Sequence, residues 1–167
     1  MEKAAHTRRT LEFISPKLRS TIDNLKKTVD ACKKREKLYR HYFKENVAGA
    51  YISSAEGRLL MCNREFLNIF GFKSFRQALE TPVQNLYSSR NHREMFLSML
   101  QANKRVKGYK QEMKRADGSR IHISHNSSAV FDKNGDIEYL QGSMLDITHQ
   151  KQLEKHLRKA QKMEAIG

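Results

Sequence analysis

The sequence predicts an α+β domain: a five-stranded antiparallel sheet with short helices on one face, flanked by N- and C-terminal coiled-coil helices. The order of the elements predicts the sheet, because two strands and several short helices precede three further strands. Turn residues at Asp117-Gly118 and Asn134-Gly135 join those last three strands as hairpins. A heptad repeat of apolar residues before residue 45 predicts the first flanking helix. The chain of 167 residues is long enough for one domain with extensions.

The first flanking helix is predicted to begin at Ser15-Pro16 and to run to about residue 45. Residues 2–13 are predicted to form a separate helical piece or the tail of an upstream element. Serine can cap the free N–H groups of a helix, and proline fits its first turn. The apolar side chains recur at steps of three and four, which forms a narrow seam: Leu18, Ile22, Leu25 and Val29. A long helix with one narrow stripe needs a partner. We therefore predict a parallel homodimer through this seam; the alternative is that the helix folds back on its own domain.

The central segment, residues 46–148, contains the strands of the sheet and the short helices between them. The predicted strands are Ala48–Ser53, Arg58–Cys62, Tyr109–Arg115, Ser119–Phe131 and Asp136–Ile147. The predicted helices are the one opened by Asn63 and ended by Gly71, then Ser74–Leu79, Val83–Tyr87 and Asn91–Asn103. Residues 149–167 form the last segment. Thr148 is expected to cap a final helix whose apolar seam is Leu153, Leu157 and Ala160.

Residues 46–148 resemble the PAS family of sensory domains. The similarity rests on the opening AGAYIS and GRLLMCNREFLNIFGF, the Asp117-Gly118 hairpin before RIHISHNSSAVF, the second hairpin DKNGDIEYLQG and the closing Asp146-Ile147-Thr148. The resemblance implies a regulatory domain and no catalytic residues. It also implies that Asp146 and Thr148 pass a signal from the sheet to the outgoing helix.

The end of the chain, LRKAQKMEAIG, resembles the segment that leads into the dimerisation and phosphotransfer helix of sensor histidine kinases. The resemblance implies that the chain stops before the phospho-accepting histidine. It also implies a parent kinase with a response regulator as its partner. A similar outgoing helix joins PAS domains to diguanylate cyclases, so that parent is an alternative.

A ligand pocket is predicted between the helices and the sheet, where such layers enclose the core. The side chains expected to line it are Phe66, Ile69, Phe70, Phe96, Met99, Leu100, Met113 and His125. On the helix before the three strands, Met95 is also expected to face inward. The ligand would be a small apolar molecule, for which methionine side chains give tolerance of shape. The alternative is that these side chains pack against one another and leave no cavity.

No metal site is predicted, because His122 and His125 are three apart on a strand and so face opposite sides. The resemblance also implies that no heme is bound, because heme-binding members of the family carry the coordinating histidine on the helix before the three strands, where this chain has only His92, at the start of the helix. It excludes a flavin photoadduct, because the stretch TPVQNLYSSRN has no cysteine and Cys62 lies elsewhere.

Ten of the fourteen net positive charges lie in the two flanking segments. Basic residues on long helices are usually their solvated faces, so no nucleic acid is expected as a partner; a basic nucleic-acid-binding regulator is the alternative. No apolar run reaches the roughly 20 residues that span a bilayer. Cys32 and Cys62 are isolated, as in reduced thiols of a cytoplasmic protein.

Overall fold

The computed structural model describes residues 16–164. These residues divide into two compact units, one that ends at Tyr42 and one that begins at Phe43. The helices are α1 (Pro16–Lys44), α2 (Arg64–Phe70), α3 (Phe75–Glu80), a 3₁₀ turn (Val83–Leu86), α4 (Arg90–Asn103) and α5 (Thr148–Glu164). The strands are β1 (Gly49–Ser54), β2 (Leu59–Cys62), β3 (Arg105–Lys114), β4 (Arg120–Phe131) and β5 (Ile137–Asp146).

The five strands form one antiparallel sheet in the order β2-β1-β5-β4-β3. The first and last strands of the domain are therefore neighbours near the middle of the sheet. Gly49, at the start of β1, pairs with Met144, near the end of β5. Because of this register, the chain enters and leaves the sheet at the same end. The predicted fold class, a five-stranded antiparallel sheet with helices, is confirmed.

Side-chain caps fix where the short helices begin. Asn63 and Ser89 accept hydrogen bonds from the backbone N–H groups of Phe66 and His92, at 3.0 and 3.3 Å. Such caps satisfy N–H groups that have no partner within the helix. Gly71 ends α2 in the left-handed conformation, with a φ of 70°, which a residue without Cβ adopts at no steric cost. The predicted start and end of α2 are thus confirmed.

Strand β3 is longer than the sequence predicted, since it begins at Arg105 and not at Tyr109. The reason is a bulge: the pairing of β3 with β4 shifts between Val106 and Tyr109, and Gly108 lies in the shift with a φ of 58°. A glycine in this conformation lets a strand continue past an extra residue.

The core lies between the inner face of the sheet and the helices that connect β2 to β3. Its fully buried side chains come from α2, α4 and all three of the last strands: Phe66, Phe70, Phe96, Leu100, Met113, Ile121, Ile123 and Leu140. Burial of one such side chain contributes roughly 1.5–3 kcal/mol to folding. The core therefore fixes α2 and α4 against the sheet.

Helix α1 has no buried residue. The four seam side chains, Leu18, Ile22, Leu25 and Val29, are between 38% and 60% exposed. The predicted helical piece at 2–13 and the capping role of Ser15 lie outside the described residues. Over residues 16–164, no helix combines the length and the apolar character needed to cross a membrane.

Candidate functional site

The predicted pocket residues lie together in the core, between α2, α4 and the sheet. Phe66, Phe70, Phe96, Leu100 and Met113 are each at most 1% exposed. Ile69 is also buried, and Met99 is half-buried against the same cluster. The rings of Phe66 and Phe70 are 4.7 Å apart between centroids, so much of the space is taken up by contacts among these side chains.

The prediction for Met95 was wrong, because its side chain is 55% exposed. The buried face of α4 carries Arg93, Phe96 and Leu100 instead. These three residues follow the spacing of three and four that places side chains on one face of a helix. The sequence analysis missed Arg93 because a charged side chain was not considered for an inward position.

His125 lies fully buried on β4, on the same face as Ile121 and Ile123, as its spacing predicted. Its Nε2 is 2.8 Å from the side-chain nitrogen Nε2 of Gln111. The ring also packs against Phe96 and Tyr109, with centroids 4.9 and 5.5 Å away. Burial lowers the pKa of His125 to about 4, so the imidazole is neutral at pH 7.

Around His125 the structure brings together a set of buried and half-buried polar side chains that we call the polar cluster: Tyr51, Tyr87, Arg93, Gln111, His125 and Ser127. The hydroxyls of Tyr51 and Ser127 are 2.9 Å apart. Arg93 donates from Nη2 to the carbonyl oxygen of Ala55 at 2.8 Å. Its guanidinium carbon lies 5.6 Å from the centre of the Tyr87 ring, a cation–π arrangement. Sequence analysis found only His125 of this set, because the other members come from four different elements.

Burial also changes the titration of the two tyrosines. It raises the pKa of Tyr87 to about 12. The neighbouring Arg93 guanidinium lowers this pKa in part, and so do hydrogen bonds from Arg93 and Gln111. Burial likewise raises the pKa of Tyr51, and the nearby Tyr87 adds to the effect. Both hydroxyls therefore stay protonated at neutral pH and can donate hydrogen bonds.

Four buried side-chain atoms have no hydrogen-bond partner within the described part of the chain. They are the Ser53 Oγ, the Arg93 Nη1, the Gln111 Oε1 and the His125 Nδ1. Buried polar groups are nearly always paired, and leaving one unpaired costs roughly 1–3 kcal/mol. Each of these atoms can bond a further polar group, such as a buried water molecule.

A second site joins the sheet to α5 through Asp146 and Thr148. One carboxylate oxygen of Asp146 accepts from the Thr148 N–H at 2.8 Å. The other accepts from Arg115 Nη2 at 2.7 Å, and Arg115 Nε donates to the carbonyl oxygen of Ile69 at 3.0 Å. Asp146 thus bonds both the backbone and a cation at the end of β5. We call Ile69, Arg115, Asp146, Thr148 and their bonds the output relay.

The expected role of Thr148 as a helix cap was wrong in its detail. Thr148 is the first residue of α5, and its hydroxyl oxygen accepts from the backbone N–H of His122 on β4, at 2.9 Å. Asp146 bonds the N–H at the start of the helix instead. The side chain of Thr148 therefore ties the helix to the sheet. Its partner is 26 positions away in the chain, which no local pattern could have indicated.

No group of three or more His, Cys, Asp or Glu side chains able to hold a metal ion occurs between residues 16 and 164. His122 and His125 lie on opposite faces of β4, as predicted. Cys62 is the last residue of β2, where burial raises the pKa of its thiol to about 11, and Cys32 is exposed on α1. A thiol with a raised pKa is a poor nucleophile at neutral pH.

Comparison with known proteins identifies the fold. Residues 47–149 match the family model described as PAS domain. The solved PAS domain of a Colwellia psychrerythraea protein is 19% identical, with a TM-score of 0.59 over 68% of this chain and 97% of that one. A PAS domain from a two-component sensor histidine kinase is 10% identical, with a TM-score of 0.58 over 69% and 98%.

A third solved structure is the PAS domain, in complex with ethanol, of a LuxR-family transcriptional regulator from Burkholderia thailandensis. It is 19% identical, with a TM-score of 0.56 over 65% of this chain and 96% of that one. At these identities the solved structures support the fold, while the family model covers more than half of the chain. The chain therefore belongs to the PAS domain family.

Proposed function

We propose that this PAS domain is the sensory input module of a cytoplasmic sensor histidine kinase of a two-component system. In this role it changes the orientation of its outgoing helix, and thereby the rate at which the parent kinase phosphorylates itself. The parent then passes the phosphate to a response regulator. The histidine-kinase-like ending LRKAQKMEAIG supports this choice of parent. As a PAS domain, the chain is a regulatory module and not a catalytic one.

The observation that carries the proposal is the output relay. Arg115 bonds the carbonyl oxygen of Ile69 on α2, and its other nitrogen bonds Asp146 at the end of β5. Asp146 and Thr148 then hold the start of α5. A ligand that moves α2 would shift Arg115 and, through Asp146, the first turn of α5. The Arg115–Asp146 pair is partly exposed and contributes about 1 kcal/mol or less, which suits an element with two accessible states.

The input would come from a small molecule held in the predicted pocket, against Phe66, Ile69, Phe70, Phe96, Met99, Leu100, Met113 and His125. The Burkholderia thailandensis PAS domain, solved with ethanol, gives a precedent for a ligand of small size. Ile69 lies both in this set and in the output relay. Pocket and relay therefore meet at one residue of α2.

We propose that the domain works as a homodimer, in which α1 pairs with its own copy along Leu18, Ile22, Leu25 and Val29. These side chains form a heptad seam and are exposed in the single chain. A second copy of the same helix offers the same narrow stripe, as in a two-stranded coiled coil.

The test places Asp146→Asn and Thr148→Val in the full-length parent protein and measures its autophosphorylation. Both variants should change the basal rate severalfold, because each removes a bond that holds α5 to the sheet. Thr148→Ser keeps the hydroxyl and should restore the wild-type rate. Glu138→Gln, an exposed position on the same strand β5, serves as the matched control.

Normal basal rates in folded Asp146→Asn and Thr148→Val proteins would contradict the relay. The parent itself is tested by reading the gene past Gly167. A histidine phosphorylation motif supports the kinase, and a GG(D/E)EF-type motif would show a diguanylate cyclase parent instead. Steeply salt-dependent binding of the chain to arbitrary duplex DNA would favour the third possibility, a nucleic-acid-binding regulator.

A further inference from the structure

Helix α1 carries its apolar seam as two alternating rows of residues. One row has the β-branched Ile22 and Val29, and the other has Leu18 and Leu25. In parallel coiled coils, a β-branched row combined with a leucine row favours two strands. None of the side chains of α1 is buried in the single chain. A second copy of the same helix is therefore the partner that fits this seam.

The positions that border the seam carry positive charges and no carboxylate. The residue that follows each member of the leucine row, continued through Cys32 and Tyr39, is a cation: Arg19, Lys26, Lys33 and Arg40. The residue that precedes each member of the β-branched row, continued through Glu36, belongs to a second set: Thr21, Thr28 and Arg35. We call these two sets the border rows of α1.

In a parallel pair, the first border row of one helix lies against the second border row of its copy, where other coiled coils form Glu–Lys salt bridges. Here the lysines of one copy would meet threonines of the other, and Arg40 would meet Arg35. The hydroxyls of Thr21 and Thr28 donate to carbonyl oxygens of their own helix at 2.9 Å, and they bring no negative charge. The border rows therefore form no ion pair between copies and bring like charges together.

Glu36 is the acidic position of the seam. Its Oε1 lies 2.8 Å from Nη2 of Arg40 on the same helix, and both side chains are more than half exposed. Exposed pairs of this kind contribute little, because water and salt screen them. In a dimer, the two copies of Glu36 would also face each other across the seam. The apolar residues of the seam therefore attract the second copy, while the charged residues repel it.

Salt changes the balance between these two effects, because it screens charges and leaves the burial of apolar surface nearly unchanged. Helices in contact have their axes about 8–10 Å apart. Charges act over roughly 30 Å at 0.01 M salt and over roughly 8 Å at 0.15 M. The border rows of two copies therefore repel each other strongly in dilute salt and much less at physiological ionic strength.

We propose that α1 is an ionic-strength-dependent dimerisation element, in which the apolar seam pairs two copies and the border rows weaken that pairing in dilute salt. This inference rests on the proposed function and names a regulation of its homodimer. A parent kinase that works as a dimer would thereby respond to the ionic strength around it as well as to a ligand.

The test is sedimentation equilibrium of the full 167-residue chain at pH 7, in about 0.01 M and about 0.15 M sodium chloride. The dissociation constant of the dimer is expected to be about tenfold lower at the higher salt concentration. In Lys26→Gln combined with Lys33→Gln, the dimer should be tighter in dilute salt, and the change should shrink to about threefold or less. Lys27→Gln combined with Lys34→Gln removes the same charge from the face opposite the seam and should keep the larger change. Glutamine has nearly the helix propensity of lysine, so both double variants keep the helix.

Sucrose at matched osmolality, added in dilute salt, should have little effect, since it screens no charge. The proposal is overturned if the dissociation constant does not fall with salt, if sucrose lowers it as much as sodium chloride does, or if the two lysine pairs have equal effects. A dimer that requires the seam but ignores salt would refute this inference alone. A chain that stays monomeric at both salt concentrations, or a dimer that persists in Leu18→Asp combined with Leu25→Asp, would refute the proposed homodimer as well.

Discussion

The side chain of Asn63 makes five hydrogen bonds. Its side-chain oxygen accepts from the N–H groups of Ala50 and Phe66, at 2.9 and 3.0 Å. Its side-chain nitrogen donates to the carbonyl oxygens of Phe43, Asn46 and Ala48, at 2.9 to 3.4 Å. One buried amide thus joins the chain that enters the domain, the first strand and the first helix of the core.

We predict that Asn63→Ala lowers the free energy of unfolding by about 3 kcal/mol, because it leaves several buried backbone groups without partners. Urea denaturation followed by circular dichroism measures this change. Asn68→Ala, on the same helix, removes only an exposed bond to Glu65 and should stay within about 0.5 kcal/mol of the wild type. Equal losses in the two variants would show that Asn63 is an ordinary cap.

The stability of the fold depends on pH through His125. Burial lowers its pKa to about 4 in the folded chain, against the ordinary value of 6.5. Between these values the unfolded chain binds the proton and the folded chain does not, so stability falls as the pH drops below 6.5. The stabilising effect is fully present above pH 6.5 and is lost progressively down to pH 4.

We predict that the wild-type chain is about 2 kcal/mol less stable at pH 5 than at pH 7 through this group alone, at about 1.4 kcal/mol per pH unit. In His125→Gln this difference should shrink by most of that amount. His149→Gln, at an exposed position, should keep it. The measurement is urea unfolding at both pH values. If His125→Gln keeps the full difference, another group is responsible.

At the scale of elements, α1 presents its seam to solvent in the single chain. The side chains of Leu18 and Leu25 are 51% and 60% exposed. Two-stranded coiled coils bury such seams between copies, with charged residues kept at the edges. The rest of α1 is polar, so this apolar stripe is the surface through which two copies could pair.

We therefore predict that Leu18→Asp combined with Leu25→Asp converts a dimer into a monomer in sedimentation velocity experiments. Burial of each leucine is worth roughly 1.5–3 kcal/mol, and an aspartate in the seam would also repel its copy. Lys26→Asp combined with Lys33→Asp changes the same helix outside the seam and should leave the dimer intact. A dimer that persists in the seam variant would place the interface elsewhere.

At the scale of the whole molecule, the order of the strands places the entry to the sheet beside the exit from it. Because β1 and β5 are antiparallel neighbours, Gly49 and Met144 lie opposite each other. Asn63 holds the entry to β1, and Asp146 holds the exit from β5. Under the proposed function, a change in how α2 packs would reach both positions, since Asn63 caps α2 and Arg115 binds its carbonyl end.

We predict that the purified chain incorporates no labelled phosphate from ATP, since a PAS domain is a regulatory module. The assay uses radiolabelled ATP and the full 167-residue chain, with the proposed parent kinase as the positive control. Phosphate on the isolated chain would overturn the assignment of a purely regulatory role.

The sequence by itself determined the features that depend on neighbours in the chain. The caps and turns around Asn63, Gly71 and the two hairpins set the order of strands and helices, because each acts over a few residues. Alternation along β4 correctly placed His125 in the core, since side chains of a strand alternate between faces. The family resemblance followed from the order of these local features.

Only the tertiary structure decided which distant groups meet. The burial of Arg93 depends on the Ala55 carbonyl oxygen and the Tyr87 ring, which other elements supply. The Thr148 hydroxyl bonds the sheet at His122, although local rules assigned it to the helix. A polar side chain can be satisfied by any neighbour that folding brings within about 3 Å, and its sequence position does not specify that neighbour. The polar cluster and the output relay are therefore products of packing.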